Sequence, residues 1–460
     1  MSDPTPPPGS GPPAAAQPDP TGAQPRHGFS RRRLLIGAGA FGAAGIAAGA
    51  VATRPWDALT GSGASRLAVK PGRGRLVLVT LYGGNDGLNT VVPYTDSAYH
   101  AGRPSLGYQP NEVLPLGNGL GLNSKLTGLK DLWDAKQLAV VLGVGYPNPS
   151  LSHFQSMDIW QTANLEGSGS GWLGRWLDAS GQDPMRAISV GATLPTALRG
   201  ERAAATAITS GTITVPGRPP FIDAWTQLAG TGPDRTGLAG LVATSSRDLL
   251  SVKGDLARLH AAVPPAAPST GPPSSRSSTT AGATTPGATT ARRATPGGNA
   301  RASSFADQLG LVASLLKAGA PTQVYQVSLS SFDTHGAEKA THERLLAELD
   351  AGVTGFFRSL AGSAGASDVV LMTYSEFGRR VAENASGGTD HGTASPLFVA
   401  GPAVRGGRFY GEQPSLTNLD GGDLKYNVDF RSVYATMLDR VVGVDPKSFL
   451  GASYSALALV

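Results

Sequence analysis

From Arg75 the chain runs Leu76-Val77-Leu78-Val79-Thr80-Leu81 and then turns into a glycine-rich stretch, Tyr82 to Asn89. An apolar run this short, without polar alternation, predicts a strand buried on both faces. Leu138 to Val144, Val324 to Leu329, Val369 to Thr373 and Leu397 to Ala400 read the same way. Between them, apolar residues recur at helical spacing over Leu126 to Ala135, Leu151 to Asn164 with Ser150 as N-cap, Trp172 to Asp178 and Glu338 to Leu360. Strands alternating with helices predict an α/β fold: a mostly parallel sheet sandwiched between helices.

Two stretches lack any such period. Met1 to Gly28 is rich in Pro, Ala and Gly, and Val263 to Ser303 is almost wholly Pro, Ser, Thr, Ala, Gly and Arg. Neither holds enough apolar surface to offset the entropy of ordering. Between the first of them and β-like Arg75, the arginine pair Arg31-Arg32 precedes a Gly/Ala-rich run from Leu34 to Ala52. That pattern reads as a twin-arginine export signal with cleavage after Ala52. The expected organisation is a disordered tail (1–29), a signal peptide (30–52), a linker (53–74) and one domain (75–460) with a disordered insertion (263–303). The insertion could also be an interdomain linker, but candidate chemistry lies on both sides of it, which favours a surface loop. The expected location is extracytoplasmic, secreted or at the cell surface, with membrane contact only if the signal is retained.

Charge changes the picture little. The formal net charge is +5, but Arg26, Arg31, Arg32, Arg33, Arg276, Arg292, Arg293 and Arg301 all fall in the tail, the signal or the insertion. The remainder is near neutral and shows no basic stripe, which argues against a nucleic-acid partner. With no cysteine, thiolate metal sites and cysteine nucleophiles are excluded. A metal would have to be held by oxygen and imidazole.

Functional groups in parallel sheets gather at the carboxyl ends of strands. After the successive strands come Asp86; Ser152-His153; Asp333-Thr334-His335; and Glu376 with Arg379; just before the last strand stand Asp390-His391. Carboxylates beside histidines suit hard or borderline divalent cations such as zinc, calcium, magnesium or manganese. Asp86, Asp333, His335, Glu376, Asp390 and His391 are the candidate ligands, and Ser152, His153 and Arg379 the candidate catalytic groups. Each has a structural alternative: turn formation for Asp86, capping or local hydrogen bonds for the Asp-His pairs, capping for Ser152. Arg379 and Arg431 could grip an anion or pin a carboxylate such as Glu376 or Asp429. Trp160, Trp172 and Trp176 read as core or pocket wall. His342-Glu343 begins like a metalloprotease pair, but Leu346 stands where the second histidine would be.

At these motifs the chain resembles a bacterial family, domain of unknown function 1501. The matching stretches are Gly83-Gly84-Asn85-Asp86-Gly87-Leu88-Asn89, Ser152-His153-Phe154, Gly171-Trp172-Leu173-Gly174-Arg175, Asp333-Thr334-His335, Ser375-Glu376-Phe377-Gly378-Arg379, Gly388-Thr389-Asp390-His391-Gly392 and Asp429-Phe430-Arg431. The family looks like a branch of the alkaline phosphatase and sulfatase superfamily. The resemblance implies a two-metal hydrolytic site, with Asp86, the Asp333 and His335 pair, and His391 as ligands. Glu376-Phe377 stands where that superfamily usually shows Asp-His, and Phe377 cannot ligate. Two readings follow: a metal-dependent hydrolase of phosphate or sulfate esters, or a non-catalytic envelope or surface protein that binds an anionic small molecule, an envelope polymer or a partner in the same pocket.

Overall fold

The computed structural model describes residues 74–181, 183–213, 219–230, 237–262 and 303–460. The expected tail, export signal and linker, and the insertion up to residue 302, lie outside the described residues. None of the described helices is long and apolar enough to cross a membrane.

Fourteen strands are described: β1 (Arg75–Leu81), β2 (Val91–Val92), β3 (Val113–Gly117), β4 (Leu120–Asn123), β5 (Leu138–Gly145), β6 (Ala187–Val190), β7 (Thr206–Ile208), β8 (Val324–Leu329), β9 (Val369–Tyr374), β10 (Arg379–Glu383), β11 (Thr389–His391), β12 (Ser395–Ala400), β13 (Arg408–Tyr410) and β14 (Val428–Asp429). Nine of them form one sheet in the order β13-β5-β12-β9-β1-β8-β6-β7, with β14 also on β5. β1 lies at its centre, parallel to β8 and β9, so strands from both sides of residues 263–302 share the sheet.

All pairings in this sheet are parallel except those of β12, which runs antiparallel to both β9 and β5. The reversal has a direct consequence for the site. A parallel strand delivers to the carboxyl edge the residues that follow it, whereas β12 delivers there the residues that precede it. That is why Asp390-His391, ahead of β12, arrives at the same edge as Ser152-His153, Asp333-His335 and Glu376, which follow β5, β8 and β9.

The apolar run of β1 is continuous because each face of the sheet has its own core. Val77, Val79 and Leu81 join Leu129, Trp133, Phe305, Leu309, Leu345, Leu349 and Val353 on one side. Leu76 and Leu78 join Trp160, Trp172, Trp176, Phe430 and Tyr434 on the other. The three tryptophans expected to fill a core or a pocket wall are therefore core residues, and Trp172 stacks on Tyr434 with centroids 4.2 Å apart. The helix expected from Leu151 begins at His153 instead, with Ser152 as N-cap in extended conformation. Ser150 turns its hydroxyl to the Ser152 amide and to Gln155, and the Leu151 carbonyl is taken by His391.

Candidate metal centre

Two glycines shape the floor of the site. Gly83 and Gly84 both have positive φ, 120° and 75°, a region that favours glycine. A Cβ on Gly83 would lie 2.4 Å from the Asp333 amide nitrogen, and one on Gly84 would lie 2.3 Å from the Phe377 ring. The turn after β1 can thus pass close under the loops that follow β8 and β9.

Above it, His153, Asp333 and His391 each offer a donor atom, and these lie within 4.8 Å of one another. Both imidazoles are fixed by what their Nδ1 atoms meet. His153 Nδ1 is 2.9 Å from the Glu376 carboxylate, and His391 Nδ1 is 2.8 Å from the Leu151 carbonyl. Both partners only accept, so each Nδ1 carries a proton, and in the neutral ring each Nε2 holds the lone pair. His153 Nε2 is buried without a hydrogen-bond partner, 3.5 Å from Asp333 Oδ2. His391 Nε2 lies 3.4 Å from Asp333 Oδ1. Two imidazole nitrogens converging on one carboxylate form a donor set that fits a divalent cation.

Electrostatics keep the set in its ligating state. Partial burial alone would raise the Asp333 carboxyl, but the bond and charge of Arg379, with His335 and His153 nearby, hold it down at about 2. Burial lowers the pKa of His391, and the charge of Arg379 adds to this against the raising effect of its bonds to Leu151 and Asp333, which favours the neutral ring. Asp333 stays half exposed, at 48% of its side chain, so one side of the cluster is open to solvent.

Other expected residues stand elsewhere. Glu376, an expected ligand, lies outside the three-donor set: it is buried behind His153, where it also accepts from the Gly83 amide at 2.8 Å and from Ser375 at 3.1 Å. Its place is that of the carboxylate that orients a metal-binding histidine. Asp390 is exposed and bonds to Asn384. Asp86 is fully buried in a separate cluster with Arg103. His335 Nδ1 lies 2.8 Å from Asp333 Oδ1 as a charge partner, with its ring 4.6 Å from that of His391, so it flanks the three donors.

Of the two expected roles of Arg379, gripping an anion or pinning a carboxylate, its geometry has the second, with Asp333 in place of Glu376: its side chain is buried and its donors are taken by the carbonyls of Gly83, Gly84, Phe332 and Thr389 and by Asp333 Oδ1 at 2.8 Å. It holds the floor of the site and aims Asp333. Arg431 likewise pins Asp429 through two bonds, at 2.9 and 2.6 Å. Phe377 is buried with its ring 4.9 Å from that of His153 and 4.6 Å from that of His391, a wall that keeps both imidazoles upright. Ser152 is exposed at the N-cap, and its side chain makes no capping bond. His153, expected as a catalytic group beside Ser152, instead stands with Asp333 and His391 as one of the three possible donors.

The motifs of this site that follow residue 266 fall within a family match. Residues 267–454 match the model described as "Protein of unknown function (DUF1501)". This part of the chain is thus similar to DUF1501 proteins. It carries Asp333, Glu376, Arg379 and His391, while His153 and Asp86 precede the matched span. No curated protein matches the chain. Among solved structures it is similar to a protein in the alkaline phosphatase superfamily from Vibrio parahaemolyticus (12% identity, 84% of this chain and 70% of that one, TM-score 0.38). It is also similar to the lipoteichoic acid synthase LtaP from Listeria monocytogenes (9%, 85% and 78%, TM-score 0.32) and to BT1596, a 2-O GAG sulfatase (8%, 83% and 71%, TM-score 0.28).

The placement of Glu376 makes a prediction. Glu376→Ala should lower divalent-metal affinity by about 10 to 100-fold, the usual effect of losing the partner that orients a ligating histidine. Equilibrium dialysis against zinc would check it. Affinity equal to wild type would show that Glu376 serves the Gly83 turn alone.

Proposed function

We propose that this chain is an exported, single-metal hydrolase of phosphate or sulfate esters, with the cation held by His153, Asp333 and His391. The observation that carries this reading is the convergence of two imidazole Nε2 atoms on Asp333, that of His153 buried without a hydrogen-bond partner. Three protein donors with one open side is the arrangement of metal sites that act on a substrate rather than only staple a fold. Two imidazoles with one carboxylate suit a borderline ion such as zinc better than calcium or magnesium. When bound, the cation would supply Lewis-acid polarisation and a template for the ester's anionic oxygens.

The chain's own residues do the rest. Glu376 and the Leu151 carbonyl fix the two imidazole tautomers, and Arg379 aims Asp333. Ser152 offers an exposed hydroxyl at the N-terminus of the ten-residue helix His153–Thr162, a position that favours anions. Export follows from the arginine pair Arg31-Arg32, since the twin-arginine route carries folded, loaded proteins.

The second reading, metal-dependent binding of an anionic ligand without turnover, is favoured by one observation: Arg379 is consumed and leaves the cluster without a free guanidinium. Elemental analysis of the purified full chain, with a panel of phosphate and sulfate esters assayed with and without chelator, separates the two. Bound metal with chelator-sensitive turnover is expected. Metal without turnover would favour the binding role, and a chain that takes up no divalent metal would overturn both.

A further inference from the structure

Beside the metal centre lies a second cluster that it does not use. Asp86, Arg103, Glu338 and His342 are all at most 1% exposed. Asp86 caps the short helix Gly87–Thr90, with Oδ1 accepting from the Leu88 and Asn89 amides, and its Oδ2 is held by Arg103 Nη1. The other donors of Arg103 go to backbone: Nε to the Val381 carbonyl at 3.0 Å and Nη2 to that of Arg380 at 2.8 Å. Its one carboxylate hydrogen-bond partner is Asp86.

Glu338 opens the helix Glu338–Leu360 and accepts from Thr389 Oγ1 through Oε2 at 2.6 Å, two residues ahead of His391. Its Oε1 is buried and has no N–H or O–H donor within reach. What its carboxyl does meet is the carboxyl of Asp86. His342, one helical turn on, cannot fill the gap: its Nε2 is engaged by Asn85 Oδ1 at 3.0 Å and Thr90 at 3.5 Å, and its Nδ1 has no partner. Two carboxyl groups in contact, with no donor between them, repel unless one of them carries a proton.

We propose that Asp86 and Glu338 share one proton, carried on Glu338, which ties the turn after β1 to the strand that delivers His391. Glu338 donates to Asp86 and accepts from Thr389, so both of its oxygens are satisfied. The charges then balance. Arg103 neutralises Asp86, and an ionised Glu338 would be a second buried anion facing the same guanidinium. Burial, with the Asp86 charge beside it, pushes Glu338 far above the usual carboxyl range. Burial opposes the ionisation of Asp86 too, but there Arg103 prevails and holds it low. Burial drives His342 down to about 4, so it stays neutral and supplies no charge. The remaining ionisable groups around the cluster are Tyr99, against Arg103 and Asp86, with Arg379 and Glu343 near His342.

The sign of the pH dependence follows. Below the ordinary glutamate range both the folded and unfolded chain hold the Glu338 proton. As pH rises above it, the unfolded chain releases the proton and the folded chain keeps it, so this group lowers stability progressively until the folded carboxyl also titrates. A glutamine carries its N–H at every pH. Melting of the full-length Glu338→Gln variant and the wild type should therefore be compared between about pH 5 and pH 9. The variant is expected to melt higher, by a margin that widens with pH; a constant or shrinking margin would overturn the shared proton. Should the variant fail to fold, the infrared spectrum of the wild type at about pH 8 decides, because exposed carboxyls are ionised there. A protonated-carboxyl carbonyl band supports the proposal, and its absence overturns it.

Discussion

Asp333→Ala is expected to weaken divalent-metal binding by well over about 100-fold, more than the loss of any residue that only orients a ligand. Asp333 is the point on which the arrangement turns: Oδ1 meets Arg379, His335 and His391, and Oδ2 faces His153. Removing it takes away the single anionic donor of the cluster and leaves two imidazoles that no longer share a target. The fold should survive, because Arg379 keeps four backbone carbonyls as acceptors. A stability loss of about 1–3 kcal/mol is expected from the weakened buried guanidinium. Calorimetric titration with zinc, alongside circular dichroism to confirm folding, would read both effects. A folded variant with wild-type affinity would remove the metal centre from consideration.

Arg103→Ala should produce the largest stability effect. Arg103 and Asp86 form an ion pair with both side chains fully buried, and removing one member of such a pair strands the other charge in a water-free site at a cost of roughly 3–5 kcal/mol. Two backbone carbonyls, of Arg380 and Val381, would lose their donor at the same time. Denaturant unfolding would measure the change, and a loss below about 1 kcal/mol would mean that water or a neighbouring group replaces the guanidinium.

Much of this architecture can be read from residues alone. The long apolar runs became β1, β5, β8, β9 and β12 because a sheet buried on both faces needs no polar alternation, and such runs leave few other solutions. β6 and β7 were not legible: Ala187–Val190 and Thr206–Ile208 are three or four residues long and carry Ser or Thr, so neither stands out from a loop. The helix Gly237–Ala262 was equally hidden, since Gly, Ala and Ser dilute its apolar stripe.

In the site, the convergence of His153, Asp333, Glu376 and His391 follows from strand-end topology, but their roles do not. Whether Glu376 ligates or stands behind His153 depends on where His153 Nδ1 points, and Arg379 looks free until the carbonyls of the Gly83-Gly84 turn close on it. The buried cluster left one trace: Glu338 and His342 are four residues apart, which places them on one helix face. A pattern of that kind also marks many surface pairs, and nothing in the chain before Thr90 announces which partner they meet.

The reversed strand β12 bears on how the molecule comes to possess a centre at all. It wedges between β9 and β5, and β5 (Leu138–Gly145) is remote from it in sequence, so its docking demands long-range closure. His391 is carried in by the same movement. Until β12 is seated, His153 and Asp333 lack the third donor, and the proposed cation would find an incomplete set. On the proposed reading, metal binding and sheet closure would be one cooperative event, and free metal in excess of its dissociation constant would stabilise the closed sheet by mass action.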